Sequence, residues 1–251
     1  MNRKTLLEET TSKVAQVTLL FWIIKICATT LGETAGDLLS MTMDVGYGLS
    51  TVILMGFFAI TLVAQLRAKA FHPVLFWTVV VSTSTAGTTM SDYMDRTLEL
   101  GYATGSLILV SGLIIVLALW RYSEKSLSVE NISTRKAELF YWTAILFSNT
   151  LGTALGDYLA DDSGLGFLGG ALLVGGSIAV IALASFFTNI NRIALFWAAF
   201  VLTRPFGATF GDLLTKPADH GGLDFGTIGS SAILASLLIG LVAYATIKRK
   251  H

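Results

Sequence analysis

Five carboxylates stand inside apolar runs of this 251-residue chain: Glu33, Asp37, Asp92, Asp157 and Asp212. An ionised acid at the centre of a bilayer costs about 2.5–3.5 kcal/mol even on insertion scales, so acids retained there face a polar interior or a partner. Two bases share the runs, Lys25 and Arg204, which leaves the acids in excess by three. A compartment with that surplus attracts cations or protons and repels anions. Carboxylate, hydroxyl, amide and carbonyl oxygens are on offer, no histidine stands in the acid-bearing runs, and the lone Cys27 lies far from the aspartates. That donor set disfavours Zn(II) and Cu(I) and favours Mn(II), Mg(II), Ca(II) or Na(+). The thioethers of Met90 and Met94, flanking Asp92, lean the choice towards manganese over calcium and magnesium.

The spacing of these groups is periodic. Trp22, Trp77, Trp142 and Trp197 are each preceded by Phe or Tyr, followed ten residues later by Gly32, Gly87, Gly152 and Gly207, and fifteen residues later by Asp37, Asp92, Asp157 and Asp212. Gly36, Ser91, Gly156 and Gly211 stand directly before the aspartates. Seven residues after each tryptophan comes Thr29, Ser84, Asn149 or Arg204, with Pro205 next to the last. Four occurrences at identical offsets define an internal repeat. Its second segment opens on Gly46-Tyr47, Gly101-Tyr102, Gly166-Phe167 and, after an expected three-residue insertion, Asp224-Phe225. The small residues four apart also suit close helix packing without any chemistry, and single aspartates commonly do no more than end a span.

The elements that must position these residues follow from composition. With 53% hydrophobic and 14% charged residues, the chain carries about half the charge of a soluble domain, which excludes a nucleic-acid binder, a disordered tail and a disulfide scaffold. Apolar stretches at about 16–39, 47–66, 73–93, 102–120, 138–160, 165–187, 193–214 and 226–247 predict eight transmembrane helices. Thirteen bases fall on the side of the termini, among them Arg3, Lys4, Lys13, Arg249 and Lys250, against Arg96 and Lys216 on the other, so both termini are expected in the cytoplasm. The expected fold is an all-α integral membrane protein, four parallel two-helix repeats with pseudo-symmetry about the membrane normal. The wider middle spacing divides it into halves, 1–125 and 126–251.

If each tryptophan sits at the cytoplasmic interface, each aspartate lies ~22 Å deeper, in the outer part of a ~30 Å core, and Glu33 lies ~16 Å deep near the midplane. Four equivalent helices about one axis then bring the aspartates together, and Arg204 is expected to pair with Glu33, the acid nearest in depth. The glycines beside the aspartates are expected to permit close packing and local unwinding where the helices line a polar cavity.

On the tryptophans with their glycine and aspartate companions, over about residues 15–247, the sequence resembles a family of bacterial polytopic membrane proteins. Its members are made of four tandem two-span repeats, each with a characteristic tryptophan, and have no assigned function. The resemblance implies the architecture and no substrate.

The residues themselves predict a secondary transporter in a bacterial inner (cytoplasmic) membrane. Its cargo is a divalent cation, Mn2+ first, with export slightly favoured and protons as the coupling ion, since clustered carboxylates can exchange a proton for a metal. Glu33, Asp37, Asp92, Asp157 and Asp212 are the expected ligands, and Lys25, Thr29, Ser84, Asn149 and Arg204 line the path or set the coupling. Alternatives are a carrier of a small organic solute, with Arg204 binding its carboxylate and the acids its amine, and a non-transporting scaffold or sensor. Neither a cofactor, an enzymatic activity nor a nucleic acid is expected; the partners are lipid, the cation and protons, with a homodimer as a candidate assembly. His72, ahead of Pro73, is assigned no chemistry, and His220 between Asp219 and Gly221 is a candidate weak cation site in an outer loop.

Overall fold

The computed structural model describes residues 13–129, 132 and 134–248. Arg3, Lys4, Glu8, Glu9, Glu130, Arg249, Lys250 and His251 lie outside the described residues, so their part in the charge asymmetry is a matter of sequence alone. The described residues form eight long helices: α1 (Leu19–Asp37), α2 (Tyr47–Arg67), α3 (Pro73–Asp92), α4 (Gly101–Glu124), α5 (Arg135–Asp157), α6 (Gly166–Phe187), α7 (Arg192–Thr215) and α8 (Thr227–Lys248). Polar caps start the odd helices. Thr18, Thr134 and Asn191 accept backbone N–H bonds from Phe21, Ala137 and Ile193. His72, given no role by the sequence, does the same for α3 through Nδ1, with Pro73 pre-set for the first turn.

The odd helices close into a ring in which α1 packs on α3, α3 on α5, α5 on α7 and α7 on α1. Each even helix lies outside, against the odd helix of the following repeat: α2 on α3, α4 on α5, α6 on α7 and α8 back on α1. The α4–α5 contact therefore spans the 125/126 boundary, and the α8–α1 contact joins the two ends of the chain. Glycine makes the ring tight. A Cβ on Gly207 of α7 would lie 2.7 Å from Thr29 Oγ1 of α1, and one on Gly36 of α1 would lie 2.8 Å from Thr88 Cβ of α3. Close helix packing, one of the two roles expected of these glycines, is what they do. The other is not observed: the helices run unbroken through them.

The irregularity comes one step later. α1, α3 and α5 end on their aspartates and pass into single π turns, Leu38–Thr42, Tyr93–Thr97 and Tyr158–Asp162, whereas α7 runs on past Asp212 to Thr215. Beyond them, two left-handed residues flanking one other residue turn the chain into each even helix: Asp44 and Gly46, Glu99 and Gly101, Gly164 and Gly166, Asp224 and Gly226. Gly226, 29 residues after Trp197, is thus the counterpart of Gly46, 24 after Trp22. The fourth outer link carries five extra residues where three were expected. A short 3-10 turn, Ala218–His220, takes up part of this insertion.

The aromatic residues of neighbouring repeats meet one another. Phe21 contacts Trp77 at 5.6 Å between ring centroids, Phe76 contacts Trp142 at 5.5 Å and Phe196 contacts Trp22 at 5.7 Å. Trp120 of α4 bridges Tyr141 and Trp197 to complete the belt. Trp77, Trp142 and Trp197 are buried by these contacts and Trp22 is half-buried, so the set closes one end of the ring from within.

Polar side chains fill the inside of the bundle while Leu49, Phe57, Ile60, Ile114, Leu172, Val180, Phe186, Ile233 and Ile239 of the even helices point outward. This inversion of the soluble pattern suggests a multi-pass membrane protein. Six helices are long and apolar enough to cross a membrane: α1 with its π turn, α2, α4, α6, α7 and α8. The other two expected spans, α3 and α5, fall short in apolarity: α3 is rich in buried Ser and Thr, and α5 carries Glu138, Asn149 and Asp157.

Candidate functional site

The ring presents its polar residues in layers four residues apart. Nearest the aromatic belt are Lys25, Val80, Ile145 and Phe200, then Thr29, Ser84, Asn149 and Arg204, then Glu33, Thr88, Thr153 and Ala208, then Asp37, Asp92, Asp157 and Asp212. None of the sixteen is more than 4% exposed. Contacts across the ring show that the layers face a common axis. Lys25 Nζ of α1 reaches Asn149 Oδ1 of α5, diagonally opposite, at 3.4 Å, and Arg204 Nη2 of α7 reaches Thr88 Oγ1 of α3 at 2.5 Å.

The same Nη2 donates to Glu33 Oε2 at 2.8 Å, the pairing that the depths of the two residues predict. Arg204 Nε and Nη1 have no hydrogen-bond partner among the described residues, and neither do Ser84 Oγ and Thr153 Oγ1 in its own layer and the next. A buried guanidinium with two free edges is a strong donor set for an oxygen-bearing ligand or water. Lys25 also lies over the Phe200 ring, 4.3 Å from its centroid, which offsets part of the cost of burying its charge. Asn149 Nδ2 donates to Thr83 Oγ1 at 2.8 Å and ties α5 to α3. Thr29 Oγ1 lies 3.1 Å from the Thr203 carbonyl of α7 as well as near carbonyls of its own helix. Ser84 packs directly on Gly32.

The aspartate layer is where the sequence reading needs correction. Arg96 and Lys216, counted there only as the two bases of the outer links, fold back onto the aspartates. Arg96 Nε lies 3.2 Å from Asp92 Oδ1 and its Nη2 3.3 Å from Asp157 Oδ2. Lys216 Nζ lies 2.6 Å from Asp37 Oδ2 and 3.2 Å from Asp212 Oδ1. Both stand four residues after the aspartate of their own repeat, the spacing of adjacent turns of one helix face, and each bridges to the aspartate of the next repeat. That spacing was legible; what hid it was the assumption that charges beyond a span belong to solvent. With these two included, five acids face four bases, and the surplus is one rather than three.

The symmetry of the layer is consequently twofold. The α3–α5 and α7–α1 seams each carry an aspartate pair with a base between them, while the equivalent positions in the first and third repeats are Met41 and Asp161. Three of the five predicted ligands converge: Glu33, Asp37 and Asp212 each bring a carboxylate oxygen within 4.8 Å of the other two. Asp92 and Asp157 stand apart from this group, held by Arg96. Met41 Sδ lies 3.8 Å from Lys216 Nζ, whereas Met94, one of the two thioethers that flank Asp92 in sequence, packs against the apolar core. His220 and Asp219 are solvent-exposed and 3.9 Å apart in the link between α7 and α8, and no third acid joins them in a metal-binding group among the described residues. Cys27 Sγ is buried and lies 3.5 Å from the Leu234 carbonyl of α8, a packing contact.

Residues 20–71, 75–126, 140–191 and 195–251 each match the family model described as Repeat of Unknown Function (DUF347). The four matches each contain one of the four repeated tryptophans, one aspartate of the axial layer and one even helix. No curated protein and no solved structure matches the chain.

Proposed function

The chain belongs to the family of DUF347 repeat proteins, and on that premise we propose that it is a secondary transporter of a divalent metal cation, Mn2+ first, bound between α1 and α7 by Glu33, Asp37 and Asp212. The observation that carries this reading is the convergence of three buried carboxylates at one end of an axis whose outer surface suits lipid. Carboxylate oxygens fit manganese better than zinc or copper(I), and the Met41 thioether near Lys216 leans the choice towards manganese over calcium and magnesium. Asp92 and Asp157 accept protons or take the ion in transit, and Arg204 is the fixed counter-charge of Glu33. Carboxylates that lose a metal can take up protons, which makes proton exchange the natural coupling. The bases of the chain support cytoplasmic termini in a bacterial inner membrane, and export is the slightly favoured direction.

In proteoliposomes, Mn2+ flux driven by a pH gradient is expected with the wild-type chain and is expected to fall at least about tenfold in Asp37→Asn, the loss of one charged ligand from a site of three. Unchanged flux in Asp37→Asn removes this reading. One observation favours a second, a carrier of a small organic zwitterion: the unpartnered Nε and Nη1 of Arg204 could receive a carboxylate while the aspartates receive an amine. Metal-independent flux of such a solute that disappears in Arg204→Met would select it.

A further inference from the structure

Lys216 and Arg96 hold equivalent positions, but they are different kinds of cation in different places. Arg96 is a planar fork that meets one carboxylate oxygen on each side, through Nε and Nη2. A lysine ammonium is a compact point charge on a flexible stem, and Lys216 stands at the C-terminal cap of α7 in extended conformation with 21% of its side chain exposed. Its Nζ lies against Asp37 and Asp212, two of the three carboxylates that converge. Asp212 Oδ1 is inaccessible and, although 3.2 Å from Nζ, receives no hydrogen bond. The ammonium therefore satisfies this group incompletely.

Charge says the same. Glu33, Asp37 and Asp212 set against Arg204 and Lys216 leave one negative charge. Removing the Lys216 ammonium raises that to two, and a divalent ion in its place brings the group to neutrality, which neither an ammonium nor a monovalent metal can do. In a medium where uncompensated charge is expensive, the neutral arrangement is the one that tolerates burial.

We propose that Lys216 is the cation site's own competitor: its ammonium occupies the Asp37 and Asp212 carboxylates until a divalent metal ion displaces it towards solvent, and it returns when the ion leaves. This rests on the cation reading above and adds to it a reason why a carrier can release a metal from three carboxylates. The returning ammonium replaces the departing ion, so the acids are not left unpaired.

Mn2+ binding to the purified full-length protein in detergent, followed by the electron paramagnetic resonance signal of free Mn2+, tests this directly. Lys216→Ala is expected to bind Mn2+ about tenfold more tightly than wild type, with Lys216→Arg no tighter than wild type and Arg96→Ala unchanged. Mn2+ should also raise the Tm of Lys216→Ala by more than it raises that of wild type, since it fills the place of the missing ammonium. Lys216→Gln, which keeps a hydrogen-bond donor on a similar stem, serves if the alanine variant does not fold. Measurable Mn2+ binding that is equal in wild type and in both neutral variants, yet lost in Asp37→Asn, overturns the competitor and leaves the cation site standing. Absence of Mn2+ binding in every form overturns both.

Discussion

The α7–α1 and α3–α5 seams repeat one arrangement, and three of the residues that differ between them bear on the aspartates. Both have an aspartate on each side and a base four residues beyond one of them. At α7–α1 that base is a lysine, a glutamate stands one turn deeper on α1, and an arginine on α7 reaches it; at α3–α5 the base is Arg96, and the positions matching Glu33 and Arg204 are Thr153 and Ser84. The first seam thus collects three carboxylates beside a lysine ammonium, and the second holds two carboxylates with a fork that has no third acid to share. A backbone repeated four times supplies the same places in each unit, and the charged side chains decide which place becomes a site and which a clamp.

The comparison can be broken most forcefully at the deep pair. Replacing Glu33 by Leu leaves Arg204 buried without a counter-charge and is expected to destabilise the bundle by about 3–5 kcal/mol, whereas Glu33→Leu with Arg204→Met should recover most of that loss. Thr153→Val, the matching change on α5, should cost far less, because Thr153 Oγ1 makes no hydrogen bond that the change would remove. Chemical unfolding monitored by fluorescence of the aromatic belt would rank the three, and equal losses for Glu33→Leu and Thr153→Val would erase the distinction between the seams.

A smaller effect separates the seams by packing. At Gly207 an added Cβ meets the backbone carbonyl carbon of Thr29 at 2.8 Å, whereas at Gly87 the nearest atom of α5 is the Thr150 nitrogen at 3.0 Å. Gly207→Ala should therefore cost about 1–3 kcal/mol and Gly87→Ala less, with helix spacing at α7–α1 the more sensitive of the two. The same unfolding measurement reads this, and a larger loss at Gly87 would reverse the order. The smallest change lies at the helix starts: Thr134→Ala removes the cap of α5 and should cost about 1 kcal/mol without altering Mn2+ binding, which dialysis against the ion would check.

Much of this was legible before the structure. The tryptophan, glycine and aspartate offsets yield the repeat, the length and apolarity of the runs yield eight helices, and the matching depths of Arg204 and Glu33 yield their pairing. What misled was treating each residue by the segment it falls in. Arg96 and Lys216 lie past the apolar runs and so counted as solvent charges, although their spacing from Asp92 and Asp212 already placed them on the same helix face. The tryptophans fit an interfacial belt by type, yet Trp22, Trp77 and Trp142 each pack on a phenylalanine of the adjacent repeat, between the ring helices. Met90 and Met94 flank Asp92 in sequence, while the thioether near Lys216 is that of Met41, four residues past Asp37 and across the α7–α1 seam.

Sequence by itself determined the periodic part of this protein: which residue types recur, at what spacing, and hence that four polar helices and four apolar ones alternate. That follows because helix pitch and bilayer thickness convert spacing into height without reference to any neighbour. Tertiary structure alone decided the order of helices round the ring, the closure of α8 onto α1, the twofold pairing of aspartates by Arg96 and Lys216, and the choice of Glu33, Asp37 and Asp212 as the acids that meet. Those are lateral relations between helices, set by which glycine accepts which side chain, and height along a helix carries no information about them.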